Sequence, residues 1–136
     1  MSAPFVTGPI VAPRPFDRPT LGGVNQPAHG TTDPGTASAV IMVPSPVSNT
    51  YRVVYTVTLY NPDGGASPII LVQVNDTVAV KVRVVYAEPA MATKTSGGVT
   101  WPGGLVLAPG QQLEVKPASA PTTPIDWTAH WGEPVR

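Results

Sequence analysis

The stretch TYRVVYTVTLY at residues 50–60 decides the fold. Its odd positions Tyr51, Val53, Tyr55, Val57 and Leu59 are apolar, while Arg52, Thr56 and Thr58 fall on the other phase. That period of two predicts a β-strand with one buried face. NPDGG follows at residues 61–65, and its Pro, Asp and two Gly are turn chemistry, so the chain is expected to double back. In SPIILVQVN, residues 67–75, Ile69 and Leu71 occupy one phase and Ile70, Val72 and Val74 the other. An apolar run on both phases suits an interior strand or a strand at an interface. Asn75 and Asp76 read as the next tight turn. TVAVKVRVVYA, residues 77–87, then reads as a strand with Val78, Val80, Val82, Val84 and Tyr86 on one face and Lys81 and Arg83 on the other.

The same grammar extends in both directions. Ser38 to Val43 is a short strand before the break at Pro44 and Pro46. Downstream, the loop EPAMATKTSGG leads to a strand around Val99 to Trp101, a WPGG turn, Leu105 to Leu107 and an APGQ turn. Gln111 to Lys116 alternates, with Leu113 and Val115 inward and Gln112, Glu114 and Lys116 outward. After the Pro-punctuated PASAPTTP, IDWTAHW puts Ile125, Trp127, Ala129 and Trp131 on one face. No 3.6-residue period competes. The expectation is all-β: an antiparallel β-sandwich of about seven to eight strands, jelly-roll or immunoglobulin-like.

Composition divides the chain at residue 36. Residues 1–36 hold seven of the eighteen prolines and five of the thirteen glycines, with only four charges, Arg14, Asp17, Arg18 and Asp33. Proline lacks an amide hydrogen, fixes φ and pushes its predecessor to extended geometry, so an extended arm is expected here and a sandwich domain over residues 37–136. The arm carries Phe5, Ile10, Phe16 and Leu21 among its prolines, a pattern a solvated linker does not require. These residues are candidate anchors on neighbouring subunits, and a stiff ribbon loses less entropy on docking. At ~3.1 Å per residue such an arm spans roughly 100 Å. On the domain itself, Ile70, Val72 and Val74 are the face expected to meet a neighbour.

Charge and motifs narrow the function classes. Eight basic against eight acidic residues leave no electrostatic footprint for nucleic acid or an anionic membrane, and neither is expected as a partner. No run approaches the ~18 apolar residues that cross a bilayer. The opening MSAPFVTGPIVAPRPF lacks an early basic region and is cut by four prolines, so synthesis in a cytoplasm is expected. Zero cysteines exclude disulfides, thiolate metal sites and thiol nucleophiles. His29 and His130 stand far apart in sequence, and the acids are scattered singly, so no metal, cofactor or catalytic residue is expected and the chain reads as a non-enzyme. Trp101, Trp127 and Trp131 have two readings. Exposed on a concave sheet they would stack against sugar rings, the basis of an alternative as a carbohydrate-binding module; packed with the aliphatics of their own phase they fill the core or a seam.

TVTLYNPDGGASPIILVQV, followed by a Gly-rich loop and GGLVLAPGQQLEV, resembles a pattern in small β-sandwich structural proteins of tailed bacteriophages. There a strand ends at an Asn-Pro or Asn-Thr turn, the next strand is rich in Val, Ile and Leu, and an L-x-P-G-x-x-L element introduces a late strand. Asn61, Pro62 and Gly64 match the first element, and Leu107, Pro109, Gly110 and Leu113 the last, within a resemblance that covers residues 50 to 131. It implies a virion protein without enzymatic activity: a capsid decoration or cement protein, or a neck or tail component. Its partners would be major capsid, neck or tail subunits and further copies of itself. The long arm departs from the compact pattern and suits a subunit that lashes itself to neighbours.

Overall fold

The structure, a computed structural model, describes residues 24–62 and 65–133. The anchors Phe5, Ile10, Phe16 and Leu21 lie outside the described residues. Eight strands are described: β1 Val24–Thr31, β2 Val40–Val43, β3 Arg52–Asn61, β4 Ile70–Asp76, β5 Lys81–Glu88, β6 Thr95–Leu107, β7 Gln111–Pro117 and β8 Asp126–Glu133. They form two four-stranded sheets, β1-β8-β3-β6 (sheet 1) and β2-β7-β4-β5 (sheet 2), and every pairing is antiparallel. Only β4 and β5 are consecutive neighbours; every other connection passes from one sheet to the other. That order is a jelly roll, two Greek keys wrapped into a sandwich.

The core is one aliphatic layer between the sheets. Val57, Leu59, Leu107, Ile125 and Ala129 of sheet 1 and its flanks face Val43, Ile70, Val72, Leu113 and Val115 of sheet 2, all fully buried. Two buried polar residues, Asn61 and Thr32, sit at strand ends. Asn61 donates from Nδ2 to the carbonyls of Gly65 (2.7 Å) and Met91 (3.0 Å), and its own carbonyl accepts from Lys94 N (2.6 Å). This is why an Asn closes β3: one buried side chain satisfies two loop carbonyls, the one of Met91 within a buried hydrogen bond. At the opposite end of β6, in its connection to β7, Gln111 N donates to Ala108 O (2.9 Å) around Pro109 and Gly110, with Gly110 at φ +90. Pro at the second position and a positive-φ Gly at the third define a type II turn, the physical content of the L-x-P-G-x-x-L element.

Three features depart from the sequence reading. First, Val24–Thr31 pairs with β8 from Val24↔Glu133 to Thr31↔Asp126, so the sandwich takes in part of the segment that composition assigns to the arm. Pro27 is tolerated because β1 lies at a sheet edge. Thr32, fully buried, locks the strand's far end: its N–H donates to Ile125 O and its Oγ1 accepts from Ile125 N, both at 3.0 Å. Second, the register of β3 shifts between Val54 and Thr56, so Tyr55 is an extra residue against β8. A bulge reverses the phase. Val54 (0% exposed) therefore joins Val57 and Leu59 in the core, while Tyr51 is left exposed. Third, β4 runs on through Asp76 and the hairpin turn is Thr77–Val80, one step later than Asn75–Asp76. The Asp76 carboxylate nucleates it by accepting from Val78 N (3.0 Å) and Ala79 N (2.9 Å).

Candidate functional site

A second bulge, on β5, shapes the outer face of sheet 2. In the β4–β5 ladder Val72 pairs with Tyr86 and Gln73 with Val84, leaving Val85 unpaired between them. Val72 faces the core, so Tyr86 does too; past the bulge the phase inverts, and Val84 and Val82 share the outer face with Gln73 and Asn75. The alternation of residues 78–86 is real, but it does not describe one buried face. Val82 and Val84 are 52% and 50% exposed, and at the hairpin Val78 and Val80 reach 78% and 86%. Val80 also holds φ +54, the left-handed region a β-branched residue rarely occupies.

The outer face of sheet 2 reads, row by row across the strands, Ile41, Glu114, Gln73, Val84 and then Gln112, Asn75, Val82. Its ends are apolar and its centre is a carboxylate. Glu114 is only 5% exposed and Gln73 6%, although both lie on the outward side of the sheet. Three amides close around the carboxylate: Gln73 Nε2 donates to Oε1 (2.8 Å), and Asn75 Nδ2 (2.9 Å) and Gln112 Nε2 (2.6 Å) donate to Oε2. Burial works to raise the Glu114 pKa, yet the bonds from Gln112, Asn75 and Gln73 outweigh it and hold the carboxyl below the usual glutamate value. The charge is thus already solvated by protein, and covering this face would not strip water from it.

The edge beside this face is closed to a further strand. Arg83 pairs with Val74 and so shares its inward side, with Lys81 two residues earlier on the same phase, and the Val85 bulge twists the strand. Inward-pointing charges and bulges are the usual protection of an edge. Asp76 sits next to them, its pKa lowered by the hydrogen bond from Ala79 N–H, then by Gln111, Val78 N–H and the charge of Arg83, against opposing desolvation.

The other outer face, on sheet 1, has a different chemistry. Thr58 pairs with Thr128, Thr56 with His130 and Thr100, and Thr128 with His29, so hydroxyls and imidazoles run across all four strands. Thr56 Oγ1 and Thr100 Oγ1 are 3.3 Å apart, and an open groove continues past Ser96 and Gly98. The two sheets are joined at one edge by Glu88, whose Oε1 accepts from Tyr86 OH (2.6 Å) on β5 and Gly98 N (2.7 Å) on β6. The hydrogen bond to Glu88, with burial and the carboxylate charge, pushes the Tyr86 pKa up to about 12.

The sequence-derived site residues fall differently. Ile70, Val72 and Val74 are 0%, 0% and 4% exposed, so the face expected to meet a neighbour is the core face of β4. Both phases of that strand are apolar at its start, and only the partner strand's register tells which turns inward. Trp127 is 6% exposed and lies against Gly30, where an added Cβ would come within 2.8 Å of the indole. Trp101 and Trp131 are partly buried against the core. Arg52 stacks over Trp131, 4.5 Å from its ring centroid, donates to Glu133 Oε2 (2.7 Å) and reaches Pro44 O (2.6 Å). The indole N–H groups of Trp127 and Trp131 are buried without a partner among the described residues. What sequence reasoning passed over is the Gln73, Asn75, Gln112, Glu114 group. Its signal is polar side chains spaced by two, Gln73 and Asn75 on β4 and Gln112 and Glu114 on β7, in the phase opposite to the aliphatics.

Among the described residues no three His, Asp or Glu side chains gather as a metal site, and no helix is long and apolar enough to cross a membrane. Set beside known protein families, curated proteins and solved structures, the chain matches none.

Proposed function

We propose that this chain is a non-enzymatic structural subunit of a tailed-bacteriophage virion, a capsid decoration or cement protein or a neck or tail component, that docks on neighbouring subunits through the outer face of sheet 2 and its leading segment. The observation that carries the reading is the concentration of exposed aliphatic side chains on one hairpin and one sheet face: Ile41, Val78, Val80, Val82 and Val84, each at least 47% exposed, around a carboxylate that is already satisfied. Val78, Val80, Val82 and Val84 gather on the β4–β5 hairpin and Ile41 stands across the face from them, and clustered exposed apolar side chains mark an interaction site. The jelly-roll strand order adds support by analogy, since that architecture serves capsid and lectin domains, although a fold hosts many functions. Attachment would be cumulative: modest contacts repeated around a symmetric ring or lattice hold more firmly than any single one.

The carbohydrate-binding alternative requires indoles that present a face to a groove. Trp127 is enclosed, and Trp131 has its ring under Arg52 and its N–H buried. The test of the structural reading is cryo-electron microscopy of phage particles decorated with Fab fragments against the purified chain. Regular labelling of head, neck or tail is expected. A chain that stays in the supernatant when particles are sedimented, with particles unlabelled, would refute it.

A further inference from the structure

We infer that the outer face of sheet 2 is the receptor for residues 1–23 of a neighbouring copy of the same chain. The inference rests on the reading of the chain as an assembly subunit and names the partner of that site. Three observations lead to it.

The face accepts side chains and refuses strands. Ile41, Val82 and Val84 stand exposed around the sealed Glu114 carboxylate, while Arg83, Lys81 and the Val85 bulge protect the free edge of β5. An occupant covering Val82 and Val84 at the β5 side therefore lies on the sheet without pairing its main chain to that edge. A segment with Pro4, Pro9, Pro13, Pro15 and Pro19 in its first 23 residues is suited to that, because proline offers no amide hydrogen, and stiff Pro-rich ribbons dock through side chains in apolar troughs.

Size weighs against the simplest competitor. Four strands ~4.8 Å apart and about seven residues long at ~3.4 Å each make a face of roughly 450 Å². Standard stable interfaces cover about 800 Å² on each partner, so two such faces stacked on one another fall short. Reciprocal exchange of leading segments gives each pair of copies two such contacts and adds the surface of the ribbons themselves.

The point of entry is suitable. Val24 pairs with Glu133, Glu133 is bonded to Arg52, and Arg52 reaches Pro44 O just beyond β2, so the leading segment joins the sandwich beside the β2 edge of sheet 2. The 23 preceding residues, at ~3.1 Å each when extended, span roughly 70 Å, enough to leave one copy and cross the face of the next. Phe5, Ile10, Phe16 and Leu21 are the side chains offered to Ile41, Val82 and Val84.

The chain has no cysteine, so engineered thiols report without background. The full-length double variant Phe16→Cys/Val84→Cys, oxidised at micromolar concentration and run on a non-reducing gel, is expected to give covalent dimers and larger species. Their yield should exceed by at least tenfold that of Phe16→Cys/Thr58→Cys, which places the second thiol on the outer face of sheet 1. A monomer carrying an internal disulfide would overturn the inference in favour of docking within one chain, and equal yields for the two variants would overturn it outright. In parallel, full-length Val82→Lys/Val84→Lys, with an unchanged circular dichroism spectrum, should weaken self-association at least tenfold by sedimentation. Unchanged association would count against it equally. Particle labelling can succeed while both of these fail, in which case the structural role stands and the occupant of the face is another protein.

Discussion

The two outer faces of the sandwich are built from the same backbone plan and differ in what they ask of a neighbour. Sheet 1 shows water a central lattice of Thr56, Thr58, Thr100, Thr128, His29 and His130, groups that water solvates as well as any protein partner would, with Val106 and Tyr60 exposed toward its two ends. Sheet 2 shows Ile41, Val82 and Val84 and hides its one carboxylate beneath amides. The difference teaches that a charge in the middle of a sheet face need not be a bar to docking. Once Glu114 has its donors, Ile41, Val82 and Val84 are free to be covered without stripping that charge, and hydrocarbon gains by being covered, while Lys116 and Gln112 remain as the polar groups a partner must meet.

The largest expected effect tests which side of β4 is which. Val72→Lys places a charge in the core without a counter-ion and should cost about 3–5 kcal/mol, enough to abolish the cooperative urea transition. If Val72→Lys melts like the parent, the assignment of inner and outer faces is wrong.

Next comes the sealed carboxylate. Glu114→Ala leaves three amide donors without their acceptor, and a loss of about 2 kcal/mol in denaturant unfolding is expected. The pH dependence has a definite sign. Because the folded-state pKa of Glu114 lies below 4.5, its contribution is fully present above that value and is lost as pH falls through the lowered one. Asp76, lowered from 3.8, acts in the same direction. Glu114→Gln should flatten the acid limb of a melting-temperature profile; an identical limb would mean that the carboxylate is not held by its amides.

At the seam between the two faces, Tyr86→Phe removes the hydroxyl that binds Glu88 and should cost about 1 kcal/mol. Here the pKa is raised, so the stabilisation is present below 10.0 and is lost as pH rises toward about 12. The parent chain should therefore lose stability in alkali that the Phe variant does not lose.

How much of this was legible in the sequence is best seen by setting β3 against β5. Both were recognised as strands because alternation survives any register. Their buried faces follow only in part from alternation, since Tyr55 and Val85 are bulged residues and a bulge is created in the pairing with the partner strand, which the local pattern does not contain. In β7, which has no shift against β4, alternation and burial agree, with Leu113 and Val115 buried. β1 escaped notice because Pro27 and Gly30 lie in it, and an edge strand tolerates what an interior strand does not. The Glu114 site was half legible: Gln112, Glu114 and Lys116 were placed outward, but the closure by Gln73 and Asn75 depends on β4 lying next to β7, a matter of topology.

Two smaller effects sharpen the contrast. Val80→Asn relieves a left-handed β-branched residue and should stabilise the chain by about 1 kcal/mol. If Val80 is kept for contact, the same variant should lower particle binding while raising the melting temperature. Val84→Lys and Thr58→Lys, one on each outer face, should both leave stability within about 0.5 kcal/mol of the parent. A large loss from either would show that its face is structural.

The pairing of Val24 with Glu133 and the Thr32 lock at the other end of β1 have a mechanical consequence. A pull on the leader along the axis of β1, as from a neighbour that grips it, stresses the whole row of β1–β8 hydrogen bonds in shear, so they resist together. A pull that prises Val24 away from Glu133 opens them singly, like a zipper, until Thr32 arrests the tear. The strap would therefore be strong in one direction and releasable in another.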